Sequence, residues 1–169
     1  YTFAADRAKA QNFQAIEKNF LYTAGQEEQH AKIFFEHLQK NGCGESVEIA
    51  GGYPVDGGDI IALLEQARHN EHEEHSDVYP KFAKTAEEEG FVSVAKHFAL
   101  IAEIEATHGF RFGSVAQMLK SDTFYSSPEK TKWVCLNCGH IFEGKFLPEE
   151  CPVCSHPKGF FIHESLAPY

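Results

Sequence analysis

Residues 91–120, FVSVAKHFALIAEIEATHGFRFGSVAQMLK, decide the fold. Taken in steps of three and four they give Phe91, Val94, Phe98, Ile101, Glu105, His108, Phe112, Val115 and Leu119, an apolar seam interrupted at its middle by Glu-x-x-His. Residues at that spacing share one face of a helix, so the acid and the imidazole point where the core should be. An earlier stretch repeats the arrangement in Phe13, Ile16, Phe20, Thr23, Glu27, His30 and Phe34, and a third runs Ile60, Leu64, Ala67, Glu71, Glu74, Val78. A carboxylate buried there without a partner costs several kcal/mol or is forced to protonate. Something cationic is needed among them, and a pair of metal ions fits best. A coiled-coil core with a few polar networks is the plain alternative, but three helices supplying carboxylates at one level argue against it.

Working outward, Tyr1 to about Lys9 reads as the tail of a helix, followed by helices at about Asn12–Asn41, Asp59–Glu89 and Phe91–Lys120. Gly42 and Gly90 are expected stops, Asp59 an N-cap, and Pro80 a kink. The stretch from Gly42 to Gly58 holds six glycines, a proline and Cys43, and reads as a long crossover. Four helices with one long crossover predict a mostly α chain, a ferritin-like four-helix bundle over residues 1–120. A polar linker is expected at 121–131 and a small second domain at 132–169.

The 169 residues carry a net charge of −10, which argues against nucleic-acid or anionic-membrane surfaces. From Glu129 onward there are four lysines and five glutamates, so the helical part carries the acidic excess. No apolar run approaches the roughly 18 residues of a membrane span. The chain opens on Tyr1, not methionine, so residue 1 is not expected to be the natural start.

Cys135-x-x-Cys138 and Cys151-x-x-Cys154 are separated by twelve residues, the pattern of a four-cysteine metal site. Tetrahedral sulfur suits both iron and zinc, so a structural zinc ribbon is the competing reading. Metal-binding cysteines rather than disulfides point to a reducing, cytoplasmic setting. Trp133, Phe142, Phe146, Phe160 and Phe161 are numerous enough to shield a redox centre from water. Cys43 stands apart and reads as a plain loop cysteine.

In the bundle, carboxylate oxygens with a few nitrogens suit iron or manganese. Glu27-x-x-His30 and Glu105-x-x-His108 supply the paired motifs, and Glu71 a single glutamate. The remaining helix should bring a last glutamate; Asp6 is its only acid, and Glu17 lies nearly three turns from Glu27.

These residues resemble the rubrerythrins, which join an iron-binding bundle to a rubredoxin-like domain. The matching stretches are Tyr-Thr-Phe-Ala at 1–4, Glu27-Glu28-Gln29-His30, Glu71-His72-Glu73-Glu74 leading to Val78-Tyr79-Pro80, Glu105-Ala106-Thr107-His108, and the C-terminal cysteines. The family's first-helix glutamate, seven residues ahead of the tyrosine matched by Tyr1, falls outside this sequence. The resemblance implies two non-haem irons in the bundle. Glu71 and His108 would bind one of them, Glu27 and Glu105 would bridge, and His30 and Glu74 would be alternative ligands of the other, exchanged with oxidation state. Tyr1 and Tyr79 match tyrosines that hydrogen-bond ligand carboxylates, although from spacing alone either is as readily an interface hydroxyl. His72, His75, Glu28 and Glu73 are expected to be solvated.

The activity so implied is reduction of hydrogen peroxide to water, with electrons passed through a rubredoxin-type iron from a separate NAD(P)H-linked reductase. No Gly-rich dinucleotide fingerprint occurs in the chain itself. A ferroxidase or iron-binding role on the same bundle is the alternative, and a zinc-ribbon interaction module a third. An eleven-residue linker reaches roughly 20 Å when flexible, less than the length of a bundle. A homodimer is therefore expected, one chain's thiolate-bound iron serving its partner's pair, with exchange of helix pairs permitted by the crossover.

Overall fold

The computed structural model describes residues 1–42, 44, 46, 48, 50–52 and 58–168. Cys43 and much of the crossover lie outside them, and so does any exchange of helices through it.

The bundle consists of α1 (Thr2–Ala10), α2 (Gln14–Lys40), α3 (Ile60–Glu73) continued through a π-helical turn (Glu74–Val78) into α4 (Tyr79–Glu88), and α5 (Val92–Lys120). Helix α1 packs along α2, and α3 and α4 pack along α5. Local chemistry sets the ends. Asp59 Oδ1 accepts from the Ala62 N–H at 2.9 Å. Helix α4 ends where Gly90 turns left-handed (φ 85) and the Phe91 N–H reaches the Ala86 carbonyl at 2.7 Å. The same closure, with Asn12 and Asp122 in the left-handed position, ends α1 and α5. No described helix is long and apolar enough to cross a membrane.

Helices α2 and α5 run antiparallel, as the stacked pairs Phe20–Phe112 (4.9 Å) and Phe34–Phe98 (4.6 Å) require. Each of these phenylalanines lies seven residues from Glu27 or Glu105, so the two pairs bracket the acidic level from above and below. Tyr1 completes the first aromatic wall, 5.2 Å from Phe112, and Tyr79 the second, 5.7 Å from Phe98.

The C-terminal part is a three-stranded antiparallel sheet, ordered β2 (Ile141–Phe146), β1 (Ser126–Cys135), β3 (Phe161–His163). Strand β1 begins inside the stretch expected to be linker. Phe124, Ile162 and Leu166 enter the same apolar core as Ala15, Ile16, Leu64 and Val115, so this sheet domain is docked on the end of the bundle, not tethered flexibly. The approach is closest at Gly159, where a Cβ would fall 2.0 Å from the Asn12 carbonyl oxygen. Of the five aromatics expected to shield the cysteines, Trp133 and Phe161 are buried and Phe142 and Phe160 pack against their cluster, while Phe146 is 72% exposed.

Candidate metal centres

The acidic level is buried. Glu71, Glu105 and His108 are fully enclosed and His30 nearly so. Gly109 makes room for α3, since a Cβ there would stand 3.3 Å from the Glu71 Cβ. Ligand-capable atoms of Glu27, Glu71, Glu105 and His108 all lie within 4.8 Å of one another.

His108 Nδ1 is surrounded by oxygens from three helices: Glu105 Oε2 at 2.8 Å, Glu27 Oε1 at 3.1 Å and Glu71 Oε2 at 3.3 Å. One N–H cannot serve three carboxylates. Both Glu105 oxygens and Glu27 Oε1 are buried without an aligned hydrogen bond. His30 Nδ1 likewise faces Glu105 Oε1 at 3.1 Å and Glu27 Oε2 at 3.2 Å. Nitrogen and carboxylate oxygens thus converge on a common volume that a shared cation would satisfy, and the residues fit a carboxylate-rich metal pair.

Without metal, protons take the cation's place. Burial opposes charge on His108, but the carboxylates of Glu105, Glu27 and Glu71 push its pKa up to about 11. Burial likewise opposes charge on His30, which Glu105 and Glu27 raise to about 9. Burial would raise Glu27, yet the imidazoles of His108 and His30 against its two oxygens hold it at about 2. Glu74 goes the other way, pushed up to about 7 by burial and by the charges of Glu71, Glu105 and Glu27. Burial also raises Glu71, against the hydrogen bonds of His108 and Tyr1.

Tyr1 donates its hydroxyl hydrogen to Glu71 Oε1. Burial and that carboxylate raise its pKa beyond the usual phenol range, so it stays a donor. Tyr79 occupies the opposite wall against Phe34 and Phe98, but among the described residues its hydroxyl bonds to no ligand carboxylate. Glu74 is half-buried and close enough to share the field of the other acids, without a hydrogen bond among the described residues.

One residue escaped the sequence reading. Gln26 Oε1 lies 3.0 Å from His108 Nε2, so the ring donates there and presents Nδ1 to the carboxylates. It belongs to no motif; its place beside Glu27 was the only signal. Replacing it, as Gln26→Leu, removes the partner that orients the ring. Metal affinity of the bundle should fall 10- to 100-fold by competition titration, with the His108 Nε2–H of the metal-free protein losing its hydrogen-bonded shift in 15N NMR. Unchanged affinity would contradict the role.

The cysteines form the second centre. Cys135 Sγ–Cys154 Sγ and Cys138 Sγ–Cys151 Sγ are each 3.8 Å apart, and all four sulfurs lie within 4.8 Å. A tetrahedron with metal–sulfur bonds near 2.3 Å needs about 3.8 Å between sulfurs. Two matching turns build it. Gly139 N–H bonds Cys135 O and Ser155 N–H bonds Cys151 O, with Gly139 and Ser155 both left-handed. Burial pushes the Cys135 thiol up to about 12, while the His156 backbone N–H draws Cys154 down to about 6.

A helical carboxylate layer joined to a four-thiolate sheet domain defines the class: a ferritin-like bundle with a rubredoxin-type module. The sequence pattern of rubrerythrin matches residues 1–116, and that of the rubrerythrin rubredoxin-like domain matches 133–162. The chain belongs to the rubrerythrin family. Rubrerythrin-1 of Clostridium acetobutylicum is 43% identical over 162 residues, 95% of this chain and 83% of that protein. Rubrerythrin of Clostridium perfringens is 40% identical over the same shares. The partially reduced state of nigerythrin superposes with TM-score 0.60 at 25% identity, over 96% of this chain and 76% of that one.

Proposed function

We propose that this chain is a peroxidase that reduces hydrogen peroxide to water, fed with electrons through its four-cysteine centre. The observation that carries this is the pairing, in one chain, of a buried carboxylate layer with a tetrahedral thiolate site. Glu71 and His108 would hold one iron, Glu27 and Glu105 would bridge, and His30 and Glu74 are the alternative donors to the other. Bound iron would supply the two electrons that, with two protons, turn one peroxide into two waters. The protein's part is to hold that charge without solvent. The walls Tyr1–Phe20–Phe112 and Phe34–Tyr79–Phe98 exclude water, which strengthens every ion pair between them. Tyr1 keeps its proton and fixes the Glu71 carboxylate in one orientation.

Docking of the sheet domain at the α1–α2 corner bears on assembly. From Gln14 to Glu27 along α2 is about 20 Å, and electron tunnelling falls exponentially with distance. The four-cysteine iron is thus poorly placed to serve its own layer and would serve that of a second copy. Phe3 (86% exposed), Phe110 (69%) and Phe35 (59%) give such a homodimer apolar surface to cover. A separate reductase would refill the thiolate centre.

Stopped-flow mixing of the fully reduced, iron-loaded protein with peroxide tests this. Both centres should re-oxidise, the ferric-thiolate absorption rising with the bundle's own, and faster than with oxygen. A colourless four-cysteine site, or no preference for peroxide, would contradict the reading.

A further inference from the structure

The helix that carries Glu71 and Glu74 is interrupted by the π-helical turn Glu74–Val78, which contains His75. Such turns take one more residue than an α-helical turn and concentrate at functional positions. Here the extra residue rotates everything after it by one place on the helix. A plain helix carrying Glu71 on its inner face would next present Val78, one heptad on. Instead Tyr79 is the residue that enters the aromatic wall with Phe34 and Phe98. The π bond runs from the Tyr79 N–H to the Glu74 carbonyl. The wide turn ends just before Pro80, whose ring would clash with an ordinary α-helical carbonyl four residues back.

A widened turn is held by fewer well-aligned backbone bonds, so its position against α5 must come from elsewhere. His75 supplies it: its Nδ1–H donates to the Ala102 carbonyl of α5 at 2.8 Å. Ala102 is buried and lies one turn before Glu105. The bond therefore spans the gap between the two helices beside Glu74 on one and Glu105 on the other. Glu74's carboxylate has no hydrogen bond among the described residues, so only its backbone sets where it stands. His75 is thus half-buried and tied to α5, not solvated as the sequence suggested, whereas His72, Glu28 and Glu73 are exposed.

We propose that His75 is a positioning residue: by bonding the Ala102 carbonyl it pins the π turn to α5 and sets the reach of the Glu74 carboxylate toward Glu105. This rests on the reading of the layer as a two-metal site with Glu74 serving one half. The effect is local, because Glu71 and His108 are held independently by Tyr1 and Gln26.

Cobalt(II) titration of the full chain, its four-cysteine site first filled with zinc, tests the proposal through the visible bands of carboxylate-bound cobalt. Wild type should take two cobalt ions per bundle. His75→Ala should keep the tighter one with unchanged affinity and bind the second at least 10-fold more weakly. His75→Asn, whose side-chain N–H can reach the same carbonyl, should recover it, and Glu74→Gln should reproduce the loss. Wild-type affinity for both ions in His75→Ala would overturn the proposal. So would equal weakening of both together with a lower melting temperature, the mark of a purely structural role. Wild type taking up no second ion, or Glu74→Gln leaving both unchanged, would overturn the two-metal reading itself, and the proposal with it.

Discussion

Glu105→Gln should leave a folded protein whose bundle no longer holds a metal pair. The side chain is fully buried, and its two oxygens face His30 on one side and His108 on the other. An amide of the same shape offers one neutral acceptor and two unwanted donors, so it cannot bridge. Loss of a partner outside the ligand shell already costs 10- to 100-fold in affinity. Loss of a bridging oxygen pair should therefore exceed about 100-fold, both in binding the second ion and in the single-turnover rate with peroxide. The ferric-thiolate spectrum should not change, because the four-cysteine centre belongs to the sheet domain docked at the N-terminal end of α2, whereas Glu105 sits level with its middle. Two ions retained at normal affinity would mean that Glu105 faces something other than metal.

The second large effect is a reversal of pH dependence on metal loading. Without metal, His108 and His30 have folded pKa values of about 11 and 9, above the ordinary imidazole value of about 6.5. Their stabilisation is complete below about pH 6.5 and is lost as pH rises through 9 and 11. Glu74, raised to about 7, acts in the same direction: ionising it in the fold becomes unfavourable relative to the unfolded chain from about pH 4.5 upward. Glu27, held at about 2, contributes above roughly pH 4.5 and is lost only in acid, outside this window. The metal-free protein should therefore melt at a lower temperature at pH 9 than at pH 6.5. Metal replaces those protons, so binding strengthens as they leave. The iron-loaded protein, kept anaerobic, should melt higher at pH 9 than at pH 6.5. Thermal melts by circular dichroism at the two values decide it; the same sign of slope in both forms would contradict the assignment.

The helical seams were legible because a buried acid breaks an apolar period of 3.6 conspicuously. Glu27, Glu71, Glu105 and His108 could be placed at one level by counting, and Asp59, Gly42 and Gly90 marked helix ends by local chemistry alone. The π turn was not legible. One extra residue leaves no mark on composition, and counting by heptads put Val78 on the seam where Tyr79 stands. Pro80 signalled a disturbance but not its kind. Docking of the sheet domain was missed for another reason. Phe124, Ile162 and Leu166 meet Ile16 and Leu64 only through the tertiary fold, so no local period reveals them. Gln26 and His75 share that difficulty, since each acts through a partner far away in sequence.

Anomalous diffraction at the iron edge, from crystals of the full chain grown without oxygen and soaked in ferrous iron, decides whether the buried acids and imidazoles hold a metal pair. Two peaks are expected a few ångströms apart within the cage of Glu27, Glu71, Glu105 and His108, and a separate one among Cys135, Cys138, Cys151 and Cys154. Density showing those acids and imidazoles bonded only to one another, with no peak between them at full soak, would contradict it.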